Sequence, residues 1–208
     1  RGELGSNGTP EEREVEAENA RVVLGASWRL NLHWPDGGID GTDAQVADVV
    51  RLLRECQPRT VALPYWDDRH PDHRAASDVL TRAIFKSGLR RFRTPGASGS
   101  SEAAAWRTDW ICYYFINDSV PASFAIDVSA EYQRKRDALA CHRTQFTPEA
   151  GGVETRLTSP RFRQLVESRD AHLGALAGVA FAEGLLVREP LLRPDLFRAS
   201  DLPLEPRT

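Results

Sequence analysis

Thr60-Val61-Ala62-Leu63-Pro64-Tyr65-Trp66-Asp67-Asp68-Arg69-His70-Pro71-Asp72-His73 is the stretch that decides how this chain folds. Its first four residues form a short continuous run of the kind expected for a strand buried on both faces of a parallel sheet. Its end leads into an amphipathic run that reaches Ser87 and is closed by Gly88, so a strand gives way to a helix within these residues. Pro71 fixes its own φ and pushes His70 into extended backbone. The two histidines therefore cannot sit on successive helical turns and must project differently. Imidazole is a common zinc ligand and a proton carrier near neutral pH. A division of labour follows, with one imidazole on a metal and the other facing whatever the metal activates. An isolated His-x-x-His is more often a polar loop with a helix cap. The adjoining Asp, Pro and strand favour the metal site here.

Working outward, the same alternation recurs on both sides. Thr42-Asp43-Ala44-Gln45 carries the capping-box pattern, and Val46, Val49, Val50 and Leu53 give the following helix an apolar stripe. Thr9-Pro10-Glu11-Glu12 starts an earlier helix with Thr9 as N-cap, and that helix runs to about Leu24 before Gly25 ends it. Trp28 to Leu32 reads as a strand and Pro35-Asp36-Gly37-Gly38 as the turn after it. Strand then helix, repeated, is the signature of a doubly wound α/β domain with a mostly parallel sheet and flanking helices. Beyond it, residues Thr94 to Ala105 are rich in Gly, Ser and Ala and read as an exposed, mobile loop. Strands are expected over Trp110 to Ile116 and Phe124 to Val128, a helix from about Ala130 to Thr144, and further helical turns between Arg161 and Val187. Asp127 reads equally as a functional carboxylate or as an N-cap or strand-end carboxylate. Residues 189–208 read as a surface tail.

A chain of 208 residues with 41% hydrophobic content can bury a sizeable core, and residues 1–208 are read as one domain. A net charge of −3 gives no electrostatic reason to expect nucleic acid. No apolar run approaches the ~20 residues of a membrane span. Cys56, Cys112 and Cys141 are odd in number and widely spaced, which argues for buried thiols in a reducing, cytoplasmic setting. Ligands of open α/β sheets collect beyond the carboxyl ends of the strands. One cleft there would gather Asp36, His70, Asp72 and His73; Arg13, one turn into its helix, could reach the same rim, although its pattern alone fits a solvent-exposed helix arginine better.

Several of these pieces also carry a resemblance. Pro64-Tyr65, Asp68 to His73, Ser6-Asn7-Gly8-Thr9 with Arg13, and Pro35-Asp36 with Gly38 resemble the LmbE/PIG-L zinc deacetylases. The nearest branch is that of bacillithiol biosynthesis, which removes acetate from N-acetylglucosaminyl malate. The similarity runs in order from Ser6 to about Pro190 and takes in Asp127-Val128, Ser159, and Ala182-Glu183-Gly184. The family's first metal motif, an Ala-His-Pro/Ala-Asp-Asp segment, has no counterpart here, and the sequence holds no methionine. The chain is accordingly read as an N-terminally incomplete copy. On this reading it lacks one His ligand, one Asp ligand and the Asp general base.

The resemblance implies a Rossmann-type fold, a Zn2+ cofactor and a metal-dependent amidohydrolase acting on a small glycoconjugate. It makes His73 the zinc ligand and His70, if protonated, the group that stabilises the oxyanion or passes a proton. Asp72 becomes the partner that orients an imidazole, that of His70, or else caps the helix beginning near His73, and Arg13 and Asp36 contact sugar hydroxyls. Arg161 stands where the branch can carry a tyrosine close to the reacting carbonyl, so a cation there either replaces an oxyanion donor or grips the malate carboxylates. His33, His142 and His172 read as surface or satisfied core residues. The expected assembly is a homo-oligomer. The rivals are a deacetylase of another N-acetylglucosamine conjugate and a non-catalytic sugar-binding fragment.

Overall fold

Both capping boxes form. In the computed structural model, which describes residues 5–94, 103–147 and 152–191, Thr9 Oγ1 accepts the Glu12 N–H at 3.2 Å. Glu12 reaches back to the Thr9 N–H at 2.7 Å. Helix α1 (Pro10–Leu24) starts there and ends at Gly25, whose φ of 70° suits a residue without Cβ. Helix α2 (Asp43–Cys56) starts at Thr42 in the same way. Its Gln45 does more than cap. Gln45 Oε1 accepts the Gly41 N–H at 2.9 Å, and Nε2 donates to the Gly38 carbonyl at 3.0 Å. One side chain thus knits the whole connection from Gly38 to Thr42 onto the helix.

Strand β1 (Thr60–Pro64) and helix α3 (Pro71–Ser87) form where the sequence indicates, but β1 ends the described sheet and exposes Thr60 and Ala62, so it is not buried on both faces. Then come β2 (Trp110–Tyr114), β3 (Phe124–Asp127), α4 (Tyr132–Ala140), α5 (Arg143–Phe146), α6 (Pro160–Ala177) and β4 (Ala182–Leu186). The sheet order is β1-β2-β4-β3. Strands β1 and β2 pair in parallel, while β4 pairs antiparallel with both β2 and β3. The result is an α/β fold with a small mixed sheet and flanking helices. The pairing is more mixed than the strand-helix alternation alone conveys.

Alternation along the strands separates two environments. Leu63 and Tyr113 are register partners, and both enter the main core with Val46, Val50, Val79 and Ala83 of α2 and α3. Tyr114 and Leu185, also partners, follow on the opposite face and line a cavity. Helix α6 covers that side through Phe162, Val166 and Leu173.

Several expectations need correction. Of the three thiols read as buried only that of Cys112 is, since Cys56 is exposed and Cys141 half-buried. Trp28 to Leu32 is not a strand: no described strand lies beside it, Trp28 and Leu30 are exposed, and His33 takes a left-handed φ of 57°. Side chains hold the segment instead, with Leu32 and Trp34 packed on the core and Trp34 Nε1 donating to Asp48 at 3.2 Å. The helical stretch before Val187 ends at Gly178, and Ala182–Leu186 forms β4. Its Gly184 is required by close approach, since a Cβ there would lie 2.9 Å from Ala122 Cβ. The helix expected from Ala130 to Thr144 is two helices, broken at His142, whose ψ of 61° is not helical. The loop expected at Thr94 to Ala105 and the tail at 189–208 fall largely outside the described residues.

Candidate active site

The connection from β1 to α3 is organised around a carboxylate that the sequence pattern did not single out. Asp68 is completely buried. Its Oδ1 accepts the His70 N–H at 2.9 Å and Asn117 Nδ2 at 3.0 Å, and it lies 3.0 Å from His73 Nδ1. Its Oδ2 accepts the Asn117 N–H at 2.9 Å. Burial opposes the charge, but the donors from Asn117, His70 and His73 together outweigh it and hold the carboxyl well below the usual range. Asn117 belongs to the loop after β2, and Asp118 of the same loop accepts the Arg69 N–H at 2.6 Å. The loops following the two parallel strands are therefore laced to each other.

His70 is the N-cap of α3. Its Nδ1 accepts the Asp72 N–H at 3.2 Å. The ring of His73 stacks on it with centroids 4.5 Å apart, so the two imidazoles lie side by side rather than projecting differently as expected. The expectation that the histidines play different parts has a local basis here, because their Nδ1 atoms face opposite partners. His70 Nδ1 meets a donor, which leaves the proton of the neutral ring on Nε2. His73 Nδ1 meets a carboxylate, which leaves Nε2 with its lone pair.

Asp72 is not placed as expected. Its carboxylate touches neither imidazole and instead accepts the Gly37 N–H at 2.8 Å. Because Gly37 belongs to the turn bearing Asp36, Asp72 ties that turn to the first turn of α3. It sets where Asp36 stands relative to the histidines rather than how an imidazole points.

A cavity of about 980 Å³ opens beside these residues. Arg13, Asp36, His70 and His73 all line it, so four of the six singled-out residues share one space. Arg13 lies a turn into α1 and donates to the Asn7 carbonyl at 2.9 Å. Asn7 in turn exchanges two hydrogen bonds with Val153, which anchors the segment carrying Arg156 to the cavity edge. Arg161 is not brought there. It sits exposed in the first turn of α6, where its N–H donates to the Ser159 cap at 3.3 Å. Arg156 and Arg169 are the arginines that this side of the fold turns into the cavity.

The remaining wall is a charged network that sequence reading missed. Asp170 is 1% exposed and accepts from Lys135 Nζ at 2.6 Å and Tyr132 Oη at 3.1 Å. Lys135 also reaches Glu183 at 2.5 Å. Burial first, then the charge and hydrogen bond of Asp170, push the Tyr132 phenol up from its ordinary range. His142, read as a surface or core residue, also lines the cavity. Burial depresses its pKa, Glu16 opposes that effect, and Arg29 adds to it. Asp127 is a strand-end carboxylate: it accepts the Ser129 N–H at 2.9 Å and hydroxyl at 2.6 Å.

The fit to a zinc ion is partial. His73 has the form of a ligand, with Nδ1 on a carboxylate and the residue lining the cavity. Among the described residues no group of three His, Cys, Asp or Glu side chains converges to hold a metal. One imidazole does not complete a catalytic zinc site, which takes three protein ligands.

Residues 1–84 match the family described as PIG-L: GlcNAc-PI de-N-acetylase. The fold is also that of the conserved protein TT1542 from Thermus thermophilus, with 34% identity and a TM-score of 0.80 over 96% of this chain and 83% of that one. The chain belongs to the PIG-L/LmbE family. A 1D-myo-inositol 2-acetamido-2-deoxy-alpha-D-glucopyranoside deacetylase of Rhodococcus opacus (strain B4) is 27% identical over 181 residues, 69% of this chain and 60% of the relative. The chain thus spans about three fifths of that curated relative's length. An N,N'-diacetylchitobiose deacetylase from Pyrococcus horikoshii shares the fold at a TM-score of 0.66 and 21% identity, over 84% of this chain and 62% of that one. No helix among the described residues is long and apolar enough to cross a membrane.

Proposed function

We propose that this member of the family hydrolyses the N-acetyl group of an N-acetylglucosamine conjugate, with N-acetylglucosaminyl malate the first substrate to test. The observation that carries the reading is the pair of stacked histidines, one with a donor and one with a lone pair free, on a cavity that Arg13 and Asp36 also line. Its kinship with a curated deacetylase of an acetamido sugar supports the reaction class.

An amide is a poor electrophile, so the reaction needs a good nucleophile and a donor for the charge that grows on the carbonyl oxygen. Water adds to the acetyl carbon, the C–N bond breaks, and acetate and a free amine leave. The tautomer fixed at His70 gives it an Nε2–H to donate to the oxyanion while the ring is neutral, so a protonated ring is not required. Arg13 donates to, and Asp36 accepts from, adjacent hydroxyls of the sugar ring. Arg156 supplies positive charge for the malate carboxylates in the place expected of Arg161. Zinc is part of this proposal: when bound, with His73 among its ligands, it supplies a water of lowered pKa.

The test is acetate release from N-acetylglucosaminyl malate by the complete protein. Equal rates on free N-acetylglucosamine would favour a broader deacetylase. Sugar binding without acetate release, with metal supplied, would favour a non-catalytic sugar-binding protein.

A further inference from the structure

We propose that Asp68, assisted by Asn117, is the positioning residue that fixes the tautomer of His73 and keeps its Nε2 lone pair turned to the cavity. A carboxylate can only accept, so the 3.0 Å contact between Asp68 Oδ1 and His73 Nδ1 requires the imidazole proton on Nδ1. The geometry around the carboxylate excludes a loose arrangement. Asp68 is fully buried, its carbonyl accepts Arg74 Nη1 at 3.1 Å, and its two oxygens take four donors from three residues. Asn117 Nδ2 lies 3.4 Å from His73 Nδ1, and both donors point at the same Oδ1. Both carboxylate oxygens are thus engaged, and neither can turn away from the ring without losing the backbone N–H of His70 or of Asn117.

His70, one turn earlier and stacked on the same ring, meets a backbone N–H and takes the opposite tautomer. The pair therefore presents one acceptor and one donor side by side. Asp72, the nearer carboxylate in sequence, does not do this work, because it is spent on Gly37. The kinetic consequence of Asp68 rests on the proposed hydrolytic reading, but the tautomer is a property of the chain alone.

The experiment is nitrogen-proton correlation spectroscopy of histidine-labelled complete protein without added metal, at about pH 8, above the ordinary histidine range. The expected spectrum has the His73 proton on Nδ1 and the His70 proton on Nε2. In Asp68→Ala the His73 proton spreads over both nitrogens, and kcat falls roughly 10- to 100-fold with KM little changed. Asn117→Ala, which keeps the Asp68–His73 contact, retains the tautomer and loses less activity, and it serves if Asp68→Ala does not fold. A His73 proton on Nε2 in the unaltered protein overturns the proposal, as does an Asp68→Ala protein with the tautomer and kcat unchanged. Correct tautomers in a protein that releases no acetate would sustain this inference and count against the deacetylase reading.

Discussion

Two buried carboxylates, Asp170 in the cavity wall and Asp68 behind His73, are satisfied in opposite ways. On the side of the β1–α3 connection, Asp68 is held by backbone N–H groups, an amide and an imidazole, with no Lys or Arg paired to its side chain among the described residues. On the side of α4, α6 and β4, Asp170 is held by Lys135 and approached by Arg169 at 3.5 Å. The first arrangement leaves a lone pair and an N–H facing the cavity on adjacent rings. The second cancels its charges internally. Chemistry is expected from the first wall and architecture from the second, and substitutions can separate these roles.

The largest effect is expected at the histidines. His73→Ala should lose metal and activity together, whereas His70→Ala should keep metal and lose kcat by about 10²- to 10³-fold, with folding stability changed little in either. Metal analysis beside kinetics checks this, and a His70→Ala protein stripped of metal would erase the distinction between the rings.

Lys135→Ala should do the reverse. It leaves Asp170, at 1% exposure, without its closest cation, which costs about 3–5 kcal/mol of stability. The double change Lys135→Met with Asp170→Leu should recover most of that loss, because a buried ion pair and an apolar pair of similar volume are near equals. Urea unfolding decides the matter. If the single variant is as stable as the parent, Lys135 has some role other than holding Asp170.

Between the two walls, Asp36→Ala should lower kcat/KM for the sugar conjugate about ten- to hundredfold, the worth of a charge-assisted hydrogen bond of roughly 1.5–3 kcal/mol. Zinc content should not change. An unaltered kcat/KM would remove Asp36, and the turn that Asp72 holds, from the sugar site.

The smallest effect concerns His142. Its folded pKa is depressed, so as pH falls below the ordinary value of about 6.5 the unfolded chain takes up a proton first. Stability contributed by the neutral ring is therefore present above about pH 6.5 and is lost as pH falls toward the lower folded value. His142→Gln should flatten that decline in unfolding measurements between about pH 7.5 and 5.5. An identical decline in the variant would assign the acid sensitivity to another group.

Much of the first wall was legible because its signals are local. The caps at Thr9 and Thr42, the stripe in α2, and the strand-Pro-helix grammar from Thr60 to Ser87 each specify structure within a few residues. The family likeness also quoted Asp68 within its motif, but the residue's partner Asn117 lies 49 positions away, and nothing in Asp68-Arg69-His70 announces that contact. Proximity in sequence favoured Asp72 instead. The second wall was illegible for the same reason carried further. Lys135, Asp170 and Glu183 meet only after α4, α6 and β4 have packed. Strand β4 itself, Ala-Glu-Gly-Leu-Leu, lacks the β-branched residues that mark strands and is set by its place between β2 and β3. Trp28 to Leu32 shows the converse: it has a strand's pattern without a described neighbour to pair with.

The most direct measurement is the release of acetate and free amine from N-acetylglucosaminyl malate by the complete, zinc-supplemented protein, run beside His70→Ala. The predicted result is one acetate per amine in the parent, with kcat cut by about 10²- to 10³-fold in the variant while substrate binding persists. Failure to release acetate from that conjugate or any other N-acetylglucosamine conjugate, or an unchanged rate in His70→Ala, would contradict it.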